Sequence, residues 1–289
     1  MTMPSLISSL RAAKALLAAG GVCMAALALP GAAPAALAQG RLDAQYEVTL
    51  SGIPVGRGVW TIEILEDQFQ ASAFGGTTGL LKAFSGGSGT GAAQGKVVNG
   101  ALVSTNYNAS TTTAQKSEAI HIVLSNGTIK EYGIDPEPPV DADRIPLTEA
   151  HRRGVYDPMS GSMLRVPGTA DPVNPEACHV GAGIFDGRMR YDLKLDFKRM
   201  ETVKAEKGYH GPVVVCAVYF TPVAGYIPDR PVIKYLAAQR NIEIAFAPVA
   251  GTRILVPFWM KIPTPLGPAL LEATQFVTAP LPPRVAKTN

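Results

Sequence analysis

Four histidines, three cysteines and a scatter of serines and carboxylates are the residues through which this chain could do chemistry. A serine hydrolase needs its nucleophile on a strained elbow, with a histidine and an acid held behind it. No Gly-x-Ser-x-Gly occurs, and Ser160 and Ser162 sit in a glycine-containing helix start. His121, His151, His179 and His210 share no linked context and no helical spacing, so no zinc enzyme is read from them. A metal site at Cys178-His179 would use two adjacent ligands with no second cluster, and neither metal nor cofactor is expected. Gly75 to Gly95 is glycine-rich enough to invite a phosphate cradle. Its spacing fails, because Gly89-Thr90-Gly91 has no glycine three positions on and no Lys-Ser/Thr follows. Paired carboxylates of the glycosidase kind need no local motif, so that chemistry stays open at this point.

Binding residues are easier to nominate. Asp186-Gly187 with Arg188 and Arg190 would place an anionic ligand near the mouth of a barrel. The competing reading is a tight turn entering a strand, with Asp186 bonded to its own backbone. Trp60, Trp259 and Tyr226, together with Phe258 and Tyr235, would line a cavity for a lipid tail or a glycan; core packing is the alternative for the same aromatics. Tyr156-Asp157 beside Arg152-Arg153 would form a polar lip, or else Asp157 caps a helix begun by Pro158.

Compartment follows from the beginning of the chain. Arg11 and Lys14 precede an apolar run from Ala15 to Leu29, then Ala36-Leu37-Ala38, the order of a secretory signal peptide over 1–38. Cys23 lies inside the apolar run behind Gly20-Gly21-Val22, which is a poor lipobox. Removing 1–38 takes two basic and no acidic residues, leaving 24 basic against 23 acidic. No Lys/Arg cluster interleaved with aromatics remains, so nucleic acid is not an expected partner. Residues 39–289 are read as a single β-rich periplasmic domain with no transmembrane segment. Two cysteines remain in an oxidising compartment, and a Cys178–Cys216 disulfide would contribute roughly 3–4 kcal/mol by restricting the unfolded chain.

The elements that must position these residues are strands. Tyr191, Leu193, Leu195 and Phe197 alternate with Asp192, Lys194 and Asp196, which predicts a half-buried strand with an apolar face. Val213 to Phe220 carries Cys216 in a β-rich apolar run, and the disulfide is pictured as a staple between two strands. Tyr46–Leu50 and Val59–Ile64 flank a Ser51–Gly56 turn. Lys96–Tyr107, Thr111–Leu124 and a strand after the Asn126-Gly127 turn continue the meander. Gly79–Ser85 reads as a short turn or helix at the sheet rim, and the alternating glycines after it as a sharply curved strand. Arg230–Gln239 reads as a short helix or a strand. About a dozen strands, little helix and no repeat make an all-β, mainly antiparallel fold: a curved, barrel-like or spiral sheet with one or two short helices.

Tyr46-x-Val48 with Gly52-x-x-Val55-Gly56, Tyr156-Asp157-Pro158-x-Ser160, Phe185-Asp186-Gly187-Arg188 with Tyr191-Asp192-Leu193, and Cys216 with Pro222-x-x-Gly225-Tyr226 together resemble an exported bacterial family known as domain of unknown function 3108. The resemblance spans roughly Tyr46 to Pro280. It implies a periplasmic, antiparallel, barrel-like or spiral β fold and brings no catalytic residue. The Phe-Asp-Gly step and paired cysteines are also similar to another exported, envelope-integrity family with a spiral β fold. The expectation is a noncatalytic envelope factor binding a lipid or peptidoglycan fragment, with an envelope-glycan hydrolase or transferase, or a structural partner of envelope proteins, as alternatives.

Overall fold

The computed structural model describes residues 39–79, 82 and 86–282. The signal peptide read at 1–38 lies outside the described residues, as does most of the expected rim helix at 79–85. The strands are β1 (Gly40–Leu50), β2 (Ile53–Ile64), β3 (Gln68–Thr77), β4 (Gly87–Val98), β5 (Ala101–Thr113), β6 (Ser117–Ser125), β7 (Thr128–Asp135), β8 (Leu164–Arg165), β9 (Gly181–Phe185), β10 (Arg190–Lys204), β11 (Lys207–Gly208), β12 (His210–Ala224), β13 (Ile242–Pro248), β14 (Ile254–Ile262) and β15 (Ala269–Pro280). Pro231–Ala238 is an α-helix, so the ambiguous Arg230 segment resolves with Pro231 in its first turn, where a missing N–H costs nothing.

One continuous sheet runs in the order β7-β6-β5-β4-β3-β2-β1-β15-β14-β13-β12-β10-β9, with neighbours antiparallel along the whole path. Short β8 pairs with β14, and β11 lies parallel to β15. Tight turns punctuate the first half. Ser51-Gly52, Asn99-Gly100 and Asn126-Gly127 all have two successive positive φ angles, the geometry that matches the twist of a two-residue hairpin. The Asn99-Gly100 turn corrects the expected strand Lys96–Tyr107: an Asn-Gly signal identical to Asn126-Gly127 divides it into the end of β4 and the start of β5. The Ser51–Gly56 turn is likewise narrower than expected. Pro54 stands within β2 opposite Thr49, beside a bulge that spares the ladder its missing N–H.

The second half explains its apolar runs by burial on both faces. Val213 to Val218 are all buried. Val213 and Val215 pack with Ala245, Val256 and Phe258 in one cluster, whereas Val214, Cys216 and Val218 pack with Ile244, Phe246 and Leu255 in another. Cys178 and Cys216 are disulfide-bonded, with Cα atoms 5.5 Å apart and both residues fully buried. The staple differs from the expected strand-to-strand link, because Cys178 ends a 3-10 turn, Pro175–Cys178, that is tied to the middle of β12. Phe197 keeps the expected face, in register with Cys216, but is 37% exposed. A bulge between Phe197 and Arg199 leaves Lys198 unpaired and breaks the alternation there.

Among the described residues no ladder joins the terminal strands β7 and β9, yet the seam between them is strapped. Arg153 bridges Thr128, and the Val155 N–H donates to the Gly127 carbonyl at 3.0 Å. One residue on, the Tyr156 N–H donates to Gly183 O at 2.8 Å while Tyr156 O accepts from the Phe185 N–H at 2.9 Å. Beneath this strap Val155, Ile122, Leu124, Ile129 and Phe185 form a small core, and Tyr132 meets Phe185 edge to face at 5.0 Å.

Candidate functional site

The site is made first by side chains that are not there. In β4 the odd-numbered residues face inward: Gly87, Gly89, Gly91, Ala93 and Gly95. Register places Gly58, Gly75 and Gly89 side by side on β2, β3 and β4, and beside them a second row of Trp60, Ala73 and Gly91. None of Gly58, Gly75, Gly89 and Gly91 has a positive φ, so backbone conformation does not demand glycine there. The space a side chain would fill is left as a cavity of about 480 Å³.

Its opposite wall is the strand foreseen by alternation. Tyr191, Leu193 and Leu195 of β10 face the cavity, with Ala182 and Ile184 of β9 in register beside them and Val218, Ile244, Phe246 and Met260 continuing the surface. The segment after the strap supplies a third side through Pro158, Gly161, Ser162 and Leu164. Asp157 fixes that segment. Its Oδ1 accepts from the N–H groups of Met159 (3.0 Å) and Ser160 (2.9 Å), a local turn that differs from the expected helix cap, because the 3-10 turn Ser160–Ser162 begins later, with Met159 at its N-cap and Pro158 ahead of it. Val59 and Phe74, opposite each other on β2 and β3, stand at the rim, 43% and 53% exposed.

Among the described residues no Asp, Glu, Lys, Arg or His lines this cavity. Its polar groups are hydroxyls and one indole. Tyr46 is buried and its Oη donates to Pro257 O at 2.8 Å, tying β1 to β14. Burial pushes the Tyr46 and Tyr191 hydroxyls well above the usual tyrosine range, with the nearby Asp186 charge adding to the effect on Tyr191. Tyr107, close to Asp157 and Asp186, is pushed up to about 12, mainly by burial. The Ser162 hydroxyl donates to Met159 O, and no histidine faces it across the cavity. Such walls bind by excluding water from apolar surface. Among the described residues no cluster of three His, Cys, Asp or Glu is placed to hold a metal ion.

Of the residues nominated from sequence, Trp60 lines the cavity and the others lie elsewhere. Trp259 packs in the core beneath Arg199, whose guanidinium stands 5.9 Å from the ring centroid. Tyr226 is half-buried and its carbonyl accepts from the Ile145 N–H at 2.9 Å. Arg188 pairs with Glu118 across the seam, and Arg190 with Asp192. Asp186 is the turn residue of the competing reading: its Oδ1 accepts from Arg188 N–H (2.8 Å) and Met189 N–H (2.7 Å), with Gly187 at φ 91°. The glycine wall was read only as curvature. What locates it is the register that sets Gly75 between Gly58 and Gly89 and Ala73 opposite Gly91.

A long antiparallel sheet, coiled on itself around an apolar cavity and strapped at its seam, is a β-barrel-like architecture. The model of a protein family of unknown function, DUF3108, matches residues 45–274, and the chain belongs to that family. A search of curated proteins returned no match. A solved structure described as a beta-barrel-like protein of domain of unknown function DUF1849, from Brucella abortus, is similar with a TM-score of 0.44 and 9% identity over 84% of this chain and 98% of that one. Among the described residues no helix is long and apolar enough to cross a membrane.

Proposed function

We propose that the protein is a noncatalytic factor of the cell envelope that holds a hydrophobic ligand, a lipid chain in its simplest form, inside the coiled sheet. The observation that carries this reading is the uncharged cavity of about 480 Å³, within the size range of small-molecule sites. A charged head group has no partner on these walls, so the apolar part of the ligand occupies the cavity and any charge stays at the rim beside Val59 and Phe74. Glycan hydrolysis would call for a pair of carboxyl groups facing the substrate, and the lining residues include none. The export signal read at 1–38 supports placing the protein in the periplasm.

Native mass spectrometry of the protein purified without detergent from its producing cells tests the reading. A reproducible added mass of lipid size, removed by organic solvent, is expected. A bare chain that also fails to enhance the fluorescence of N-phenyl-1-naphthylamine overturns it.

A further inference from the structure

The outer face of β2–β5 carries a second surface, which meets the cavity only along Val59, Phe74 and Thr90. Strand register lays its side chains out as a lattice. One row is Glu63, Gln70, Gln94 and Asn106; the next is Thr61, Ser72, Ala92 and Asn108; the third is Val59, Phe74, Thr90 and Ser110. Their inward-facing neighbours, Ile62, Ala71 and Ala93, are buried, so these rows point outward. The face is hollow: the first two rows line a concavity of about 470 Å³ with Ala92 at its floor, and a second of about 600 Å³ adjoins it past Phe74.

The lattice is dominated by amides and hydroxyls. Within the three rows Glu63 is the one charged residue, at a corner; Arg41, opposite it on β1, also lines the concavity and donates to Asp43 at 3.0 Å. The side-chain amides of Gln70, Gln94, Asn106 and Asn108 make no hydrogen bond among the described residues, while the hydroxyls beside them are paired, Thr61 with Ser72 at 2.8 Å and Thr90 with Ser110 at 2.7 Å. Each amide offers two N–H donors and a carbonyl acceptor, and adjacent strands stand about 4.8 Å apart. Exposed Phe74 and Val59 add an apolar platform at the edge of the same array.

We propose that this face binds an uncharged oligosaccharide chain. Sugar hydroxyls both donate and accept, which an amide row satisfies on either side, and the C–H face of a pyranose packs on an aromatic ring such as Phe74. A phosphate-rich polymer would need several Lys and Arg, whereas Arg41, the cation lining the concavity, is already paired with Asp43. An extended peptide adds to a sheet edge rather than to its face.

The test is a ¹⁵N–¹H correlation titration of the whole protein with tetra-N-acetylchitotetraose and, separately, with cellotetraose. Saturable shifts in the side-chain NH₂ signals of Gln70, Gln94, Asn106 and Asn108 are expected. The double variant Gln94→Ala/Asn108→Ala, at two exposed positions, should bind about tenfold more weakly, in line with losing two hydrogen-bonding partners. Its thermal transition and its dye binding in the cavity should be unchanged. Absence of shifts with both sugars overturns the proposal, as do shifts that survive in the double variant. Equal or stronger binding of a polyanion such as polyphosphate overturns it as well.

Discussion

Filling the glycine wall should raise stability and abolish binding together. A Cβ on Gly75 would sit 3.4 Å from the Arg57 carbonyl and 3.8 Å from the Gly58 Cα, ordinary contact distances, and the rest of a valine side chain would enter the cavity. Glycine in a strand interior costs about 0.5–1 kcal/mol relative to alanine. Burying a valine side chain contributes about 1.5–3 kcal/mol, less whatever local adjustment the wall requires. Gly75→Val is therefore expected to stabilise by about 2 kcal/mol. At about 2–4 °C per kcal/mol for a chain of this size, calorimetry should show Tm rising by about 4–8 °C. Affinity for N-phenyl-1-naphthylamine, or for the lipid recovered with the protein, should fall at least about tenfold, the equivalent of 1.4 kcal/mol of lost contact. Gly95→Ala is the internal control. It sits at a bulge where a Cβ would collide with the Val103 carbonyl and the Phe69 ring, so it should lower Tm. If Gly75→Val also lowers Tm, or leaves dye binding intact, the glycine row is packing and not the wall of a binding site.

The other expectations concern the frame around the site. The Cys178→Ala/Cys216→Ala variant should lose about 3–4 kcal/mol in urea unfolding, and the native disulfide should resist added reductant until the chain unfolds because both cysteines are fully buried; reduction at native conditions with an unchanged urea midpoint would count against this. Phe185→Ala should cost about 3–5 kcal/mol and speed hydrogen exchange at Val155 and Tyr156 more than at Val215. Equal acceleration at all three would mean that the seam is not a separate weak point. Burial raises Tyr107 and Tyr209 to about 12, so the folded state favours their neutral forms. That contribution is complete below pH 10, where the unfolded tyrosine titrates, and is lost as pH climbs from about 10 towards 12. Tyrosinate absorbance followed with circular dichroism checks it, and full ionisation near pH 10 in an intact fold would refute it.

Local rules were legible in the sequence and absences were not. The alternation of Tyr191, Leu193 and Leu195 announces a face, and the cavity is what that face looks onto. The turn at Asn126-Gly127 and the pairing of Cys178 with Cys216 each follow from residue type and spacing. The ion pair of Arg188 is hidden from the sequence because its partner, Glu118, is distant along the chain and reaches it only when β6 lies against the β9–β10 turn. The core position of Trp259 is equally hidden, because an aromatic on an apolar strand does not reveal that β14 is buried on both sides. The cavity itself depends on Gly58, Gly75 and Gly89 falling opposite one another, a property of two registers at once. No single stretch of chain encodes it.

The place of β1 in the sheet has a consequence for the order of folding. It lies between β2, its immediate successor, and β15, so that Gly40 faces Pro280 and Leu50 faces Ala269. Strands β1 to β7 are joined by successive hairpins and can zip locally, each closing a short loop. The β1–β15 pairing instead joins nearly the two ends of the described chain and must await the last strand, so it belongs to the slow, non-local class of contacts. Until then β1 presents an unpaired edge, the situation that invites wrong partners. Substitutions in Ala269–Pro280 that slow its docking should therefore lower the yield of native protein out of proportion to their effect on equilibrium stability.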